Sequence, residues 1–388
     1  MTKPTQYRIS IASQLQEINR DHWQKCSLHS PPFLQYDFLH ALESSGSIGG
    51  DTGWDTHFIV VYEIDNSMPV AYVPCYLKHH SYGEYVFDHA WANAYHEHGI
   101  QYYPKLLIGV PFTPVTSNKV LCCPNANATE VNAFVFDHIH SICNNAGTSS
   151  LHWLFNTYQQ KRESELHGLP TRLSVQFQWY NQGYQDFDDF LARFTSRKRK
   201  DIRKERKKVA EQGILINYYC GESIQADHIA FFYQCYCQTY LKRSGHTGYL
   251  TRRFFEQLYA KFARNMMIVV ATQSDKPIAA ALYLFDDHGL YGRYWGSLRE
   301  YDGLHFECCY YAGIDFAIQH NIPLFNPGTQ GEHKILRGFE PTYCYSSHYV
   351  ADPRFANAVK NFTQQERPAM ERYFMQATNA LPFKQNQE

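Results

Sequence analysis

Two stretches of this 388-residue chain follow the same plan, and that repetition limits the folds open to it more than any other feature. His57-Phe-Ile-Val-Val-Tyr62 reads as a strand, Asp65-Asn-Ser67 as a turn and Pro69-Val-Ala-Tyr-Val-Pro-Cys-Tyr-Leu77 as a second strand. Ile268-Val-Val-Ala271, Ser274-Asp-Lys276 and Pro277-Ile-Ala-Ala-Ala-Leu-Tyr-Leu284 repeat it, with the Pro-aliphatic-Ala signature shifted by 208 residues. An amphipathic helix precedes each hairpin, over Leu34–Leu42 and Phe254–Phe262. A helix and a further strand follow each one. In the first half Val131, Phe134, Val135, His138, Ile139 and Ile142 share a helix face before the strand Leu151–Phe155. In the second, Tyr311, Ile314, Phe316 and Ala317 precede Ile322–Phe325. The order of elements, more than residue identity, predicts two similar halves: 1–180, and 181–388 with a helical tail.

A charged run marks the start of the second half. Arg197–Lys208 holds nine Lys and Arg in twelve residues, a quarter of all the Lys and Arg in a chain whose net charge is −1. Phe187, Phe190, Leu191 and Phe194 lead into it at helical spacing, and Ile202 and Val209 carry an apolar contact through it. A built-in helix is therefore expected, capped by Thr195 or Ser196 and ended by Gly213. Arg197, Lys198, Arg199 and Lys200 would fill its first turn, where cations oppose the helix dipole by about 0.3–1 kcal/mol each. An anion docking there would explain the arrangement.

Composition removes several classes. The hydrophobic and aromatic content, 44% and 16%, belongs to a folded chain. No run of 18 apolar residues suggests a membrane span, and the first residues lack a secretory pattern, so a cytoplasmic location is expected. The eleven cysteines are scattered or adjacent, as at Cys122-Cys123 and Cys308-Cys309, so reduced thiols are expected, without a disulfide framework or zinc ribbon. His96 and His98 would diverge on a helix, and no metal site is expected. Nucleophile-elbow, P-loop and dinucleotide-binding glycine patterns are absent.

Specific strings add to this reading. They are Leu42-Glu-Ser-Ser-Gly46 with Gly53-Trp54; Tyr76-Leu-Lys78 with Ser81-Tyr-Gly-Glu-Tyr-Val-Phe-Asp88; Tyr102-Tyr-Pro-Lys-Leu106; Pro111-Phe-Thr-Pro-Val115; the basic run; and Asn326-Pro-Gly-Thr-Gln-Gly-Glu-His-Lys334 with Arg337-Gly-Phe339. With the repeated plan, they make the chain resemble a bacterial family of N-acyltransferases described as peptidoglycan-biosynthesis-related, which is Fem-like and of the GNAT superfamily. The resemblance implies an α/β (α+β) fold of two tandem GNAT-like domains, each a mixed sheet flanked by helices. It implies transfer of an acyl or aminoacyl group to an amine acceptor, a small molecule or a cell-wall precursor. Acyl-CoA or aminoacyl-tRNA would be the co-substrate, with no tightly bound cofactor. In GNAT enzymes the helix after Leu304 faces the donor pyrophosphate, behind a Gln/Arg-x-x-Gly-x-Gly/Ala loop. Leu298-Arg-Glu-Tyr-Asp-Gly303 lacks that pattern, as the tRNA-using Fem relatives would.

The loop Asn326–Phe339 gathers Glu332, His333, Lys334 and Arg337 between Gly328, Gly331 and Gly338. A carboxylate or imidazole there could act as base, and the cations could hold an oxyanion or phosphate. Candidate catalytic residues are Glu332 and His333 in this loop and Glu307 at the start of the helix after Leu304. Candidate donor or anion contacts are Arg197, Arg199, Lys200, Lys334, Arg337, Gly328 and Gly331. In the first half Lys78, Glu84, Asp88 and Lys105 are candidate polar contacts of an aromatic-lined acceptor pocket. The rival reading is a non-catalytic protein that grips anionic cell-wall precursors or RNA through the basic helix.

Overall fold

The computed structural model describes residues 6–329 and 331–384. The chain forms two compact units, the first built from Met1–Ser174 with Tyr343–Arg372 and the second from Val175–Thr342 with Tyr373–Glu388. They are not two consecutive stretches, because a late segment belongs to the early unit.

In the first unit, Tyr7–Ala12, Phe58–Glu63, Pro69–Val73 and Leu121–Cys122 form an antiparallel sheet in that order. The hairpin foreseen in the sequence is present, broken at Pro74, which has no N–H to give to a ladder. Beyond the break Cys75–Lys78 pairs on one side with Trp54–Thr56 and on the other with Lys105–Ile108. Lys105–Ile108 runs parallel to Ser150–Asn156, which in turn takes Tyr345–Val350 of the strand Glu340–Val350 as its antiparallel neighbour. The expected long helix is two, Ala128–Asp137 and Ile139–Ala146, divided at His138. Their apolar face, with Val131, Val135, Ile139 and Ile142, packs on Ile59, Val73, Leu106 and Trp153 of the strands.

The second unit has an antiparallel run of Ile214–Cys220, Met266–Gln273, Lys276–Phe285 and Leu290–Ser297. Ser274 and Asp275 both adopt positive φ in its central turn, the conformation whose twist suits a two-residue hairpin. Leu290–Ser297 then runs parallel to Leu324–Asn326, whose other side pairs with Trp179 and Tyr180 of the strand Thr171–Tyr180. The helix expected over Phe254–Phe262 is present as Arg252–Phe262, and the longer helix Ala226–Ser244 lies before it. The basic helix spans Ser196–Glu211, anchored in the core by Ile202 and Val209. Thr195 occupies its cap position, yet its side chain makes no capping hydrogen bond. The parallel pair Leu290–Ser297 and Leu324–Asn326 ends at Asn326, where the chain leaves the sheet. The chemistry-bearing loop of the second unit emerges there.

The long helix Pro353–Asn379 belongs to the first unit up to Arg372 and to the second from Tyr373. Among the described residues no helix is long and apolar enough to cross a membrane.

Candidate functional site

The loop following Leu324–Asn326 is shaped by its glycines. Asn326 Oδ1 accepts from the Gly328 N–H at 3.0 Å, and Gly328 and Gly331 both hold positive φ. At Gly331 a Cβ would lie 2.3 Å from the His333 ring, so only glycine leaves room for that imidazole. A tight helical turn, Glu332–Arg337, follows. Gln330 lies outside the described residues.

This turn buries Lys334, whose Nζ donates to the Gly328 carbonyl at 2.7 Å. Burial, with the Arg293 charge beside it, pushes its ammonium down to about 7. His333 Nε2 lies 2.7 Å from the Tyr310 hydroxyl. Burial and the Arg337 and Lys334 charges lower its pKa, so the imidazole is neutral near pH 7 and can take a proton. His305 joins the cluster through ring contacts with His333 and Tyr310, and burial lowers it to about 3. Glu332 is exposed and accepts from the Tyr373 hydroxyl at 3.1 Å.

Arg337 does not present an open cation. Its Nη2 donates to both oxygens of Glu205 at 2.7 and 2.9 Å, its Nη1 to the His333 carbonyl at 2.7 Å, and its guanidinium lies 3.5 Å over the Phe306 ring. Arg337, expected as an anion clamp, here fixes the loop to the basic helix. Tyr311 reinforces the tie by donating to the same Glu205 carboxylate. Glu307 is likewise engaged. It is buried and paired with Arg206 at 2.8 Å, while Arg206 also holds Asp315 at 2.7 Å. Burial raises its pKa against the pull of Arg206.

These contacts depend on an irregularity. Leu304–Phe306 and Ala312–Gln319 are α-helical, but the intervening Glu307–Tyr311 forms a π-helical turn. The wider turn lets the consecutive Tyr310 and Tyr311 reach His333 and Glu205 respectively. Such turns interrupt helices at functional sites more often than elsewhere. Glu205, Tyr310 and the π turn left no sequence signal, because their roles depend on partners distant in the chain.

Along the basic helix the charges divide into two groups. Arg203 pairs with Asp188, Arg206 with Glu307 and Asp315, Lys207 with Glu211 and Lys208 with Asp302. Arg197, Arg199 and Lys200, together with Lys198 and Lys204, have no carboxylate partner among the described residues. The unneutralised charge is thus concentrated toward the end where the helix cap is also missing.

In the first unit Lys78, Glu84, Asp88 and Lys105 are 0%, 4%, 3% and 0% exposed. Lys105, Glu84 and Asp88 face one another, while Lys78 Nζ donates to the Gly53 carbonyl at 3.3 Å. Lys105 Nζ donates to Glu84 at 2.8 Å, to Ser81 at 2.9 Å and to Asp88. Tyr102 donates to Asp88 at 2.6 Å and lies 3.0 Å from His152, whose Nδ1 is 2.7 Å from His348 Nδ1. Burial opposes ionising Asp88, but Lys105 outweighs it and holds the carboxyl below the usual range. Glu84 goes the other way: burial, with the Asp88 charge, raises it to about 7 despite Lys105. One buried ammonium thus neutralises one carboxylate, and the second keeps its proton up to about pH 7. Lys78 sits 3.6 Å over the Trp54 ring, and burial pushes it down to about 7. An open cavity of about 770 Å³ elsewhere in this unit is lined by Gln14, His40, Glu43 and the Gly46–Thr52 loop, and by none of the candidate residues.

The expectation of reduced thiols throughout is also corrected. Cys26, at the end of helix Arg20–Cys26, is disulfide-bonded to Cys123. Spacing alone gave no hint, because 97 residues separate them and topology alone brings them together. His96 and His98, at the end of the helix His89–Glu97, form no metal-binding group with other residues among those described.

The strand and helix order, with a parallel pair closing each meander, defines a protein of two tandem GNAT-type units. FemX shares the architecture at a TM-score of 0.53 and 10% identity, over 91% of this chain and 100% of that one. L-PGS from Bacillus licheniformis aligns with 84% of this chain and 95% of its own at TM-score 0.48 and 9% identity. A tandem GNAT protein from the clavulanic acid biosynthesis pathway does so with 90% and 99% at 0.47 and 9%. At such identities the likeness is one of fold. The sequence profile of the FemAB-like family, described as peptidoglycan biosynthesis/recognition, matches residues 14–385, and the chain belongs to that family. No curated protein matches the sequence.

Proposed function

We propose that the protein transfers an aminoacyl group from a tRNA donor to an amine of a cell-wall precursor, using the second unit's glycine-rich loop. The observation that carries this is the pairing of His333, neutral and hydrogen-bonded to Tyr310, with the buried Lys334 at the end of the parallel strand pair. His333 takes the proton that the acceptor ammonium must lose before its nitrogen attacks the donor carbonyl, a role worth about 10²–10⁴ in rate. Lys334, while protonated, stabilises the oxyanion, and such donors contribute about 10²–10³. Glu332, exposed and bound to Tyr373, is the weaker candidate for base.

The donor choice rests on the loop Leu298–Gly303. An acyl-CoA donor needs that loop open to its pyrophosphate. Here the Leu304 N–H is turned to the Tyr301 carbonyl at 3.4 Å, the Asp302 carbonyl accepts from Gln212, just past the basic helix, at 3.0 Å, and the Asp302 carboxylate pairs with Lys208. The unpaired cations at Arg197, Arg199 and Lys200 instead suit a polyanionic donor.

The test is product mass spectrometry with aminoacyl-tRNA and a UDP-linked muropeptide, run in parallel with acyl-CoA in place of the tRNA. Aminoacyl transfer that collapses in His333→Ala and in Lys334→Ala supports the reading. Transfer from acyl-CoA alone overturns the donor assignment. Tight, salt-sensitive tRNA binding without turnover would favour the binding-only role to which the unpaired cations also lend themselves.

A further inference from the structure

Helix Arg20–Cys26 carries His22 and Cys26 one turn apart, so both side chains leave the same face. Cys123, just beyond the short strand Leu121–Cys122, meets them there. One donor atom from each of the three lies within 4.8 Å of the others, and no other His, Cys, Asp or Glu group among the described residues converges in this way. His22 Nδ1 is 3.9 Å from Cys26 Sγ, and its Nε2 is 3.9 Å from Cys123 Sγ. The buried Tyr72 hydroxyl lies 2.8 Å from His22 Nδ1. When Nδ1–H donates to that oxygen, Nε2 keeps its lone pair on the side of Cys123, and the ring is oriented as the outer partner of a metal ligand would orient it.

We propose that Cys26, Cys123 and His22 form, once the disulfide is reduced, a Cys₂His site for zinc(II) with its fourth position open. Two thiolates and an imidazole are a zinc donor set, and three protein ligands leave one position for water or another small ligand. Reduction by a dithiol transfers two electrons and two protons to the Cys26–Cys123 bond, giving two thiols while the reductant becomes a disulfide. Zinc then displaces the two thiol protons to the solvent. The helix and the strand end, 97 residues apart in sequence, stay tied together in both redox states.

The test uses the full chain reduced with a phosphine, which does not compete as a thiol ligand. Cobalt(II) should produce thiolate-to-metal charge-transfer and tetrahedral d–d bands at one equivalent, and zinc should bleach them. Untreated protein with the disulfide intact should give neither. Cys26→Ser and Cys123→Ser should each abolish the bands, while Tyr72→Phe should weaken zinc binding about 10–100-fold. If a serine variant does not fold, native mass spectrometry of the reduced wild type with equimolar zinc decides alone. A zinc-free chain overturns the site. So do cobalt bands that persist in well-folded Cys26→Ser, since they would come from other cysteines.

Discussion

The Lys105 cluster shows how three charges can share one dry site. Below about pH 7, with Asp88 ionised and Glu84 protonated, the group is neutral, so its members are not equivalent to mutation. Lys105→Met leaves a carboxylate buried without its partner and should cost about 3–5 kcal/mol in denaturant unfolding. Glu84→Gln keeps the uncharged form already favoured and should be far milder. The pH dependence follows from the same assignment. Unfolded, Glu84 ionises near its ordinary value of about 4.3, whereas folded it holds its proton up to about 7. Its stabilising contribution is therefore complete below the unfolded value and lost as pH rises toward 7. Wild type should lose stability across that window by more than Glu84→Gln does; parallel curves would refute the assignment. At Lys334 the prediction concerns rate. Its proton leaves near pH 7, so kcat/KM should decline above that point, and Lys334→Arg, which stays charged, should remove the decline even if its overall rate is low. Sequence reading singled out Lys334 and His333 because a glycine-bracketed polar loop is visible locally. It could not find that Arg337 and Glu307 are already paired. Their partners, Glu205 and Arg206, sit more than a hundred positions away on the basic helix.

Among the elements, that helix does two jobs with one composition. Its C-terminal half is woven into the unit by ion pairs, and its N-terminal half keeps its charge for something else. Neutralising Arg197, Arg199 and Lys200 to Gln should therefore leave the melting temperature nearly unchanged. It should reduce tRNA affinity and flatten its dependence on salt by about 0.9 per lost duplex phosphate contact or about 0.7 in single strands, measured by filter binding or anisotropy. An unchanged slope would separate the helix from any polyanion. Glu205→Gln should behave oppositely, loosening Arg337 and the loop it carries, with hydrogen exchange rising over 331–339 and little change in salt slope. Periodicity made the helix and both hairpins legible, since the apolar spacing is written into each segment. The π turn at Glu307–Tyr311 and the break at His138 escaped it, because both reflect packing demands rather than local preference.

At the scale of the molecule, the plan of two similar halves was readable from the order of elements, but the membership of Tyr343–Arg372 was not. Nothing in a strand-like sequence says which edge it will join. A chain ending at Thr342 lacks the neighbour of Ser150–Asn156 and should yield a first unit with weak near-ultraviolet circular dichroism and early melting, although every first-unit residue before 175 is present. A native-like melt of that truncation would show the last strand to be dispensable. The same arrangement sets a timetable during synthesis. Asn156 reaches its partner Ser347 only after 191 further residues have been made, roughly 10–40 s at ordinary elongation rates. For that interval the nascent first unit carries a bare, wholly buried-type strand edge, the kind that recruits stray chains. Expression yield should therefore depend on what shields the ribosome-bound chain in those seconds, and slowing or cooling translation, which lengthens the exposure, need not help this protein as it helps others.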